Sequence, residues 1–315
     1  MNLLLLKNIY MLNLLISSYK SNDFLYKLFK SKLAITSTLI ILIIIFISIC
    51  APIISPHQPF NPKTLNLDDA YLPPFWIEGG SLTFALGTDG HGRDILSSIL
   101  YGSRISIFVG FSSVILSVVI GVTLGLIAGY YGGIIDLVIM RIGDIQLTFP
   151  SILVALLIDG IAKIILPKVL HVNIAFYVII FSIGISNWVQ YARTVRAVTL
   201  VEKNKEYVHA SQVIGLSSHI IIVRHILRNV ISPVFVIATI GFAFSILIES
   251  TLSFLGVGLA ATQASLGTLI RIGNNFLFSG EWWIAFFPGL SLVTIVLSIN
   301  IFGDWLRDAL NPKLK

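Results

Sequence analysis

Six stretches of this sequence stay apolar for about 20 residues, the length a helix needs to cross the hydrocarbon core of a bilayer. They run over Leu33–Ile54, Ile105–Ala128, Ile134–Ile158, Ile174–Ala192, Val230–Phe254 and Trp283–Phe302. All are too long for barrel strands and lack strict alternation. The expected fold is all-α: one polytopic membrane bundle of six transmembrane helices over residues 33–304. An N-terminal segment (1–32) precedes it and a short tail (305–315) follows. Composition agrees, with 56% hydrophobic and 11% charged residues. A soluble domain carries about 25% charged residues, so this chain cannot cover a water-facing surface of its size. The same hydrophobicity excludes disorder. A single cysteine, Cys50, excludes an internal disulfide, a Cys-based zinc site and an iron–sulfur cluster. The net charge of +6 is small for this length and points to no nucleic-acid partner; the partner surface is the lipid membrane.

Lys and Arg set the orientation. The N-terminal stretch, the segment between spans four and five, the tail and Arg141 hold 15 of the 21 basic residues. Lys63, Arg93, Arg104, Lys163, Lys168 and Arg271 lie on the other side. Both termini are therefore expected in the cytoplasm. Trp282, Trp283, Trp305, Trp188 and Tyr191 fit as interface anchors. The first 20 residues are apolar but lack a small-residue cleavage site, which argues against a cleaved signal peptide; Met11 offers an alternative start. Asn22–Lys32 reads equally as an amphipathic helix lying in the interface or as an ordinary basic flank.

Two connections stand out. The outer loop 55–104 is rich in proline at first, which blocks helix, and should lie against the bundle. It ends in Gly87-Thr88-Asp89-Gly90-His91-Gly92-Arg93-Asp94. Asp89, His91 and Asp94 match no metal-ligand spacing, so the expectation is no metal and a turn held by carboxylate–backbone bonds. The segment 193–229, polar at its start, carries a short helix over Glu206–Ile214. Gly215 would end it, and Ser217 or Ser218 would cap a second helix through Leu227. Apolar residues at helical spacing (Tyr207, Val208, Ala210, Val213, Leu216) make this exposed turn a knob for a protein partner.

Ser113, Ser117, Gly121, Gly125 and Gly129 place a small residue at every fourth position of span two. Such a row lets a helix approach closely, either within the subunit or across a dimer. Glu249 is the one acid deep in span five, and a buried intramembrane charge is by default a functional hypothesis. It serves the transport pathway or fixes helix packing by a hydrogen bond; on the first reading Glu249→Gln impairs transport more than assembly. Arg141 and Asp144, three apart, can pair on one face of span three, and Pro150 should kink that helix. Asp304, Arg307 and Asp308 read as a solvated cluster ending span six. The chain has no phosphate-binding loop, so it does not itself hydrolyse ATP. It has no nucleophile elbow and no zinc-protease motif, so no catalytic residues are expected. His219 and His225, six apart, do not share a helix face.

Glu206-Tyr207-Val208-His209-Ala210-Ser211-Gln212-Val213-Ile214-Gly215, continuing to Arg224-His225-Ile226-Leu227-Arg228-Asn229, resembles the EAA loop of ATP-binding-cassette importer permeases. More narrowly, it is similar to the C-type permease of dipeptide and oligopeptide importers. Further stretches match in order from about residue 30 to the end. Among them are Gly87-Thr88-Asp89 with Gly92-Arg93-Asp94, Phe149-Pro150, Tyr191-Ala192-Arg193, Leu252-Ser253-Phe254-Leu255-Gly256 and Gly303-Asp304. The chain departs from the pattern at His209, Ser211 and Arg228, where the family has Glu, Ala and Pro, and over Leu259–Gly267. The resemblance implies a bacterial inner-membrane subunit that pairs with a second permease above two cytoplasmic ATPases and receives substrate from an outer solute-binding protein. ATP and Mg bind the partners, and this chain carries no cofactor. Glu206, Tyr207, His209, Ala210, Ser211, Gly215 and His225 would dock an ATPase. Similar families carry dipeptides, oligopeptides, glutathione, nickel or antimicrobial peptides, with di- and oligopeptides leading. An autonomous channel or secondary transporter would instead call for inverted repeats and several midplane charges, and the sequence shows neither clearly.

Overall fold

A backbone in hydrocarbon must satisfy its own N–H and C=O groups, and this chain does so with helices. The structure, a computed structural model, describes residues 23–165, 168–257 and 265–310. The expected features of residues 1–20, the stretch 258–264 and the tail lysines Lys313 and Lys315 lie outside the described residues. Ten helices carry the fold: α1 (Asp23–Lys30), α2 (Lys32–Ile49), α3 (Ile95–Tyr131), α4 (Gly133–Leu147), α5 (Ser151–Ile165), α6 (Lys168–Glu202), α7 (Glu206–Val213), α8 (Ser218–Phe254), α9 (Leu266–Asn274) and α10 (Trp283–Leu310). Among the described residues the one departure from helix and loop is an isolated antiparallel bridge, Thr88 to Asp94. Among the described residues five helices are long and apolar enough to cross a membrane, and the α4–α5 pair makes a sixth span if it counts as one. Exposed Leu42, Phe46, Phe111 and Ile142 give the outside an apolar coat, as lipid requires.

Three elements differ from the sequence reading. Span three is not one kinked helix: α4 and α5 meet at 91°. Pro150 cannot donate to the carbonyl four residues back and disfavours helical backbone at Phe149, so α4 ends at Leu147 and α5 starts afresh at Ser151. Span two starts ten residues early, at Ile95, because the Asp94 carboxylate accepts from the Ser97 N–H at 3.0 Å and caps the helix there. Spans four and five run further toward the basic face than expected. α6 stays helical to Glu202, and the helix from Ser218 passes Leu227 without a break, through a π-type turn at Ile221–Ile226, to Phe254. Trp188 and Tyr191 therefore sit mid-helix and are buried rather than at an interface. Trp188 donates from Nε1 to Gln146 Oε1 at 2.7 Å.

The bundle is organised around the contact of α3 with α6. A Cβ on Gly121 would lie 2.5 Å from Tyr191 Cβ; one on Gly125 would lie 2.6 Å from the Ala192 carbonyl; one on Gly129 would lie 2.7 Å from Thr199 Cβ. Ser117 Oγ adds a hydrogen bond to the Gly184 carbonyl at 2.8 Å. The small-residue row thus packs within the chain, backbone against backbone. α4 lies along α6 through two ion pairs, Arg196–Asp136 and Arg193–Asp144. The expected Arg141–Asp144 pair is replaced because the facing helix brings Arg193 to Asp144. Arg307 pairs with Asp304 at 3.5 Å and Asp308 at 3.4 Å on the exposed end of α10.

The outer loop is pinned down where its glycines lie. Asp89 Oδ1 accepts from the His91 and Arg93 N–H groups at 2.8 and 3.0 Å, and the Trp283 indole donates to the Thr88 carbonyl at 3.1 Å. Two of the apolar clusters among the described residues flank the α3–α6 contact or stand near it. One joins Ile95, Ile246, Leu266, Trp283 and Ile299; the other joins Leu126, Tyr191, Val195, Ile226 and Val230 with Val208 of α7.

Gly125→Val is expected to force α3 and α6 apart and lower stability by about 1–3 kcal/mol. Gly289→Ala, which meets nothing within 4 Å, is expected to leave it unchanged. Thermal unfolding of the purified protein in detergent compares the two, and equal midpoints would sink the close-packing account.

Candidate functional site

The segment between α6 and α8 is held as a small folded unit. After Glu202 a tight turn, Lys203–Lys205, leads into α7, where Glu206 stands in the first turn and favours the positive end of the helix. Val208 is fully buried and Ser211 nearly so, with the Ser211 hydroxyl donating to the Tyr207 carbonyl at 2.7 Å. Glu206, His209, Ala210 and Val213 are exposed. Their spacing of i, i+3, i+4, i+7 makes one continuous helix stripe, so α7 has an anchored face and a free one.

Gly215 closes the helix. Its φ of +84° is a conformation that L-residues with a Cβ avoid. Its N–H reaches the Gln212 carbonyl at 3.0 Å and the Leu216 N–H reaches the Ser211 carbonyl at 3.1 Å. This is a Schellman motif. It leaves Val213 and Ile214 at the tip with 88% and 78% of their surface exposed. Two large aliphatic side chains held out on a rigid turn, in the basic half of the molecule, are suited to docking.

Beneath α7 lies a polar cluster that the sequence reading did not single out. The Glu202 carboxylate, at the end of α6, accepts from Lys205 Nζ at 2.6 Å, from the Tyr207 hydroxyl at 2.5 Å and from Asn229 Nδ2 at 3.0 Å. Asn229 Nδ2 also lies 3.0 Å from the Tyr207 hydroxyl. Glu202 is 7% exposed. Burial, then the bond to Glu202, push the Tyr207 phenol above its ordinary range, so it stays a donor. His225 stands beside Tyr207, ring centroids 6.3 Å apart. The one sequence signal for Glu202 was its i, i+3 spacing to Lys205; the contact with Asn229, 27 residues on, had none.

Glu249, read from the sequence as either a pathway or a packing residue, is enclosed by its own chain. It is fully buried between α3, α8 and α9. Ser106 donates to it at 2.7 Å and Ser253 at 2.8 Å, while the Leu266 N–H reaches Ser106 Oγ at 3.3 Å. Its carboxyl joins α3 to α8, and Ser106 passes the link on to α9. The broad apolar groove of about 600 Å³ lies elsewhere, between α3 and α8. Phe111, Ile115, Val119, Val122, Ile231 and Phe235 line it.

Residues 121–315 match the family described as binding-protein-dependent transport system inner membrane component, and residues 21–74 match the N-terminal TM domain of oligopeptide transport permease C. The chain belongs to this permease family. It is 40% identical over 282 residues to the dipeptide transport system permease protein DppC of Haemophilus influenzae, covering 90% of this chain and 91% of the relative. It is likewise 40% identical to the Escherichia coli K12 protein of that name, over 91% of each. The di/tripeptide transport system permease protein DppC of Pseudomonas aeruginosa is 36% identical over 90% of this chain and 89% of its own. The fold is that of a chain in inward-facing structures of the MetNI methionine ABC transporter, with TM-score 0.53, 20% identity and coverage of 69% of this chain and 96% of that one. This is a multi-pass permease of an inner-membrane transport system, and its family is one of transport components rather than enzymes.

Two sets of variants follow from the site. A residue with a Cβ at Gly215 costs about 1–2 kcal/mol for its backbone alone, Asn less, and Pro also loses the bond to Gln212. Protection of α7 amides from hydrogen exchange is expected to fall in the order Gly, Asn, Ala, Pro; equal protection would remove the strain argument. Glu249→Ala, which strands three-helix hydrogen bonds, is expected to lower stability by about 2 kcal/mol or more, and Glu249→Gln by less. Chemical unfolding in detergent reads the difference.

Proposed function

We propose that this chain is the C-type permease of a dipeptide or oligopeptide importer. It pairs with a second permease, sits above two cytoplasmic ATPases that bind ATP and Mg, and receives substrate from an outer solute-binding protein. The observation that carries this reading is the α7 turn: an exposed stripe of Glu206, His209, Ala210 and Val213, ended at Gly215, between two helices that run unbroken into the membrane. Movement imposed on such a turn by an ATPase reaches spans four and five directly. ATP binding then biases the paired permeases between inward- and outward-open states.

The excess of Lys and Arg on the α7 side supports a cytoplasmic location for that face and for both termini. The open groove between α3 and α8 supports pairing with another apolar helical surface. The names of the relatives, dipeptide and di/tripeptide permeases, support the peptide cargo; selection of that cargo falls to the binding protein.

Affinity purification of tagged chain from its native membrane, wild type beside Gly215→Pro, tests the docking. Wild type is expected to recover two phosphate-loop ATPases and a second permease, and Gly215→Pro to lose the ATPases. Recovery of the chain alone in both forms would overturn the reading.

A further inference from the structure

We propose that Glu202 is a positioning residue for energy coupling, a clamp that makes the α7 turn move as one body with the ends of α6 and α8. The inference rests on the docking reading above and concerns a residue outside the docking face. α7 has only eight residues, and it is joined to α6 by the turn Lys203–Lys205 and to α8 by the turn at Gly215–Ser217. Backbone turns absorb displacement. A push on the exposed stripe would swing α7 on these joints unless something bridges them.

Glu202 bridges them. Its two carboxylate oxygens divide the task. Oε1 takes Lys205 Nζ, within the turn; Oε2 takes the Tyr207 hydroxyl, in the first turn of α7, and the Asn229 amide, in α8. One side chain at the end of α6 thereby holds three segments. Charge-assisted hydrogen bonds of this kind are roughly twice as strong as neutral ones. The carboxylate is itself buried while Lys205 and Asn229 reach it from the solvent side, and a buried carboxylate without its donors is costly, so the three segments stay together or separate together. Val208, packed among Ile221, Ile226 and Val230, supplies apolar contact beneath but no direction. The clamp fixes the angle of α7.

None of these groups is on the exposed stripe; Tyr207, which the resemblance groups with the docking residues, turns its hydroxyl away from the stripe to Glu202. Weakening the clamp should therefore leave docking intact and uncouple it from transport. The test uses the assembled transporter in proteoliposomes with its binding protein and a dipeptide, and reads peptide imported per ATP hydrolysed. Glu202→Ala is expected to retain both ATPases and to lower that ratio about tenfold, the loss that removing about 1.4 kcal/mol of constraint produces. Tyr207→Phe keeps the ring and loses one bond, with an expected fall of about threefold. Glu202→Gln keeps an acceptor oxygen and is expected to stay within about twofold of wild type.

An unchanged ratio in Glu202→Ala with the ATPases retained overturns the proposal. If Glu202→Ala does not assemble, Tyr207→Phe decides: a lowered ratio with a full complement of ATPases supports the clamp, and a wild-type ratio overturns it. A wild-type chain that binds no ATPase overturns the docking reading, and the clamp with it, whatever the variants do.

Discussion

The close approach of α3 and α6 is the contact on which the other placements depend. In lipid, apolar side chains gain nothing from meeting each other rather than a lipid tail, so helices associate through fit and hydrogen bonding. Gly121, Gly125 and Gly129 remove the side chains that would hold the two backbones apart, and Ser117 adds a bond across the gap. This aligned pair fixes where the basic end of α6 emerges. Arg193 and Arg196 then stand opposite Asp144 and Asp136 and hold α4 alongside. Glu202, two turns further along, stands beneath the α7 turn.

Two buried carboxylates in the bundle share one arrangement. Each sits where several segments meet and accepts from more than one of them. Glu249 does so between α3 and α8, with α9 joined through Ser106; Glu202 does so among α6, α7 and α8. A buried carboxylate is expensive unless its oxygens are satisfied. When the donors come from different helices, that same cost ties the helices together. Rigid linkage of this kind is what a permease needs if a push on a short surface helix is to reach its membrane spans.

Much of this was legible beforehand. Apolar run length gave the order of the spans, and the small-residue row was visible as a period of four. Gly215 announced the end of α7 because its neighbours were helical in pattern and the turn needed a residue free of Cβ. Pro150 announced a disturbance of span three but not its size, because a proline marks where helix geometry fails and says nothing of where the next helix packs. The apolar boundary misled at spans four and five: helices continue past the hydrocarbon where nothing breaks them, and run length reports only solvent preference.

The sequence by itself determined that the chain is a helical membrane bundle, which face is basic and where the exposed turn after α7 lies, since these depend on local composition and period. Tertiary structure alone decided the partners. That Asp144 takes Arg193 rather than Arg141, that Glu249 takes Ser106 of α3, and that Glu202 meets Asn229 depend on which helices lie side by side. The attraction of a carboxylate to a donor is short in range, and only packing brings residues distant in sequence within that range.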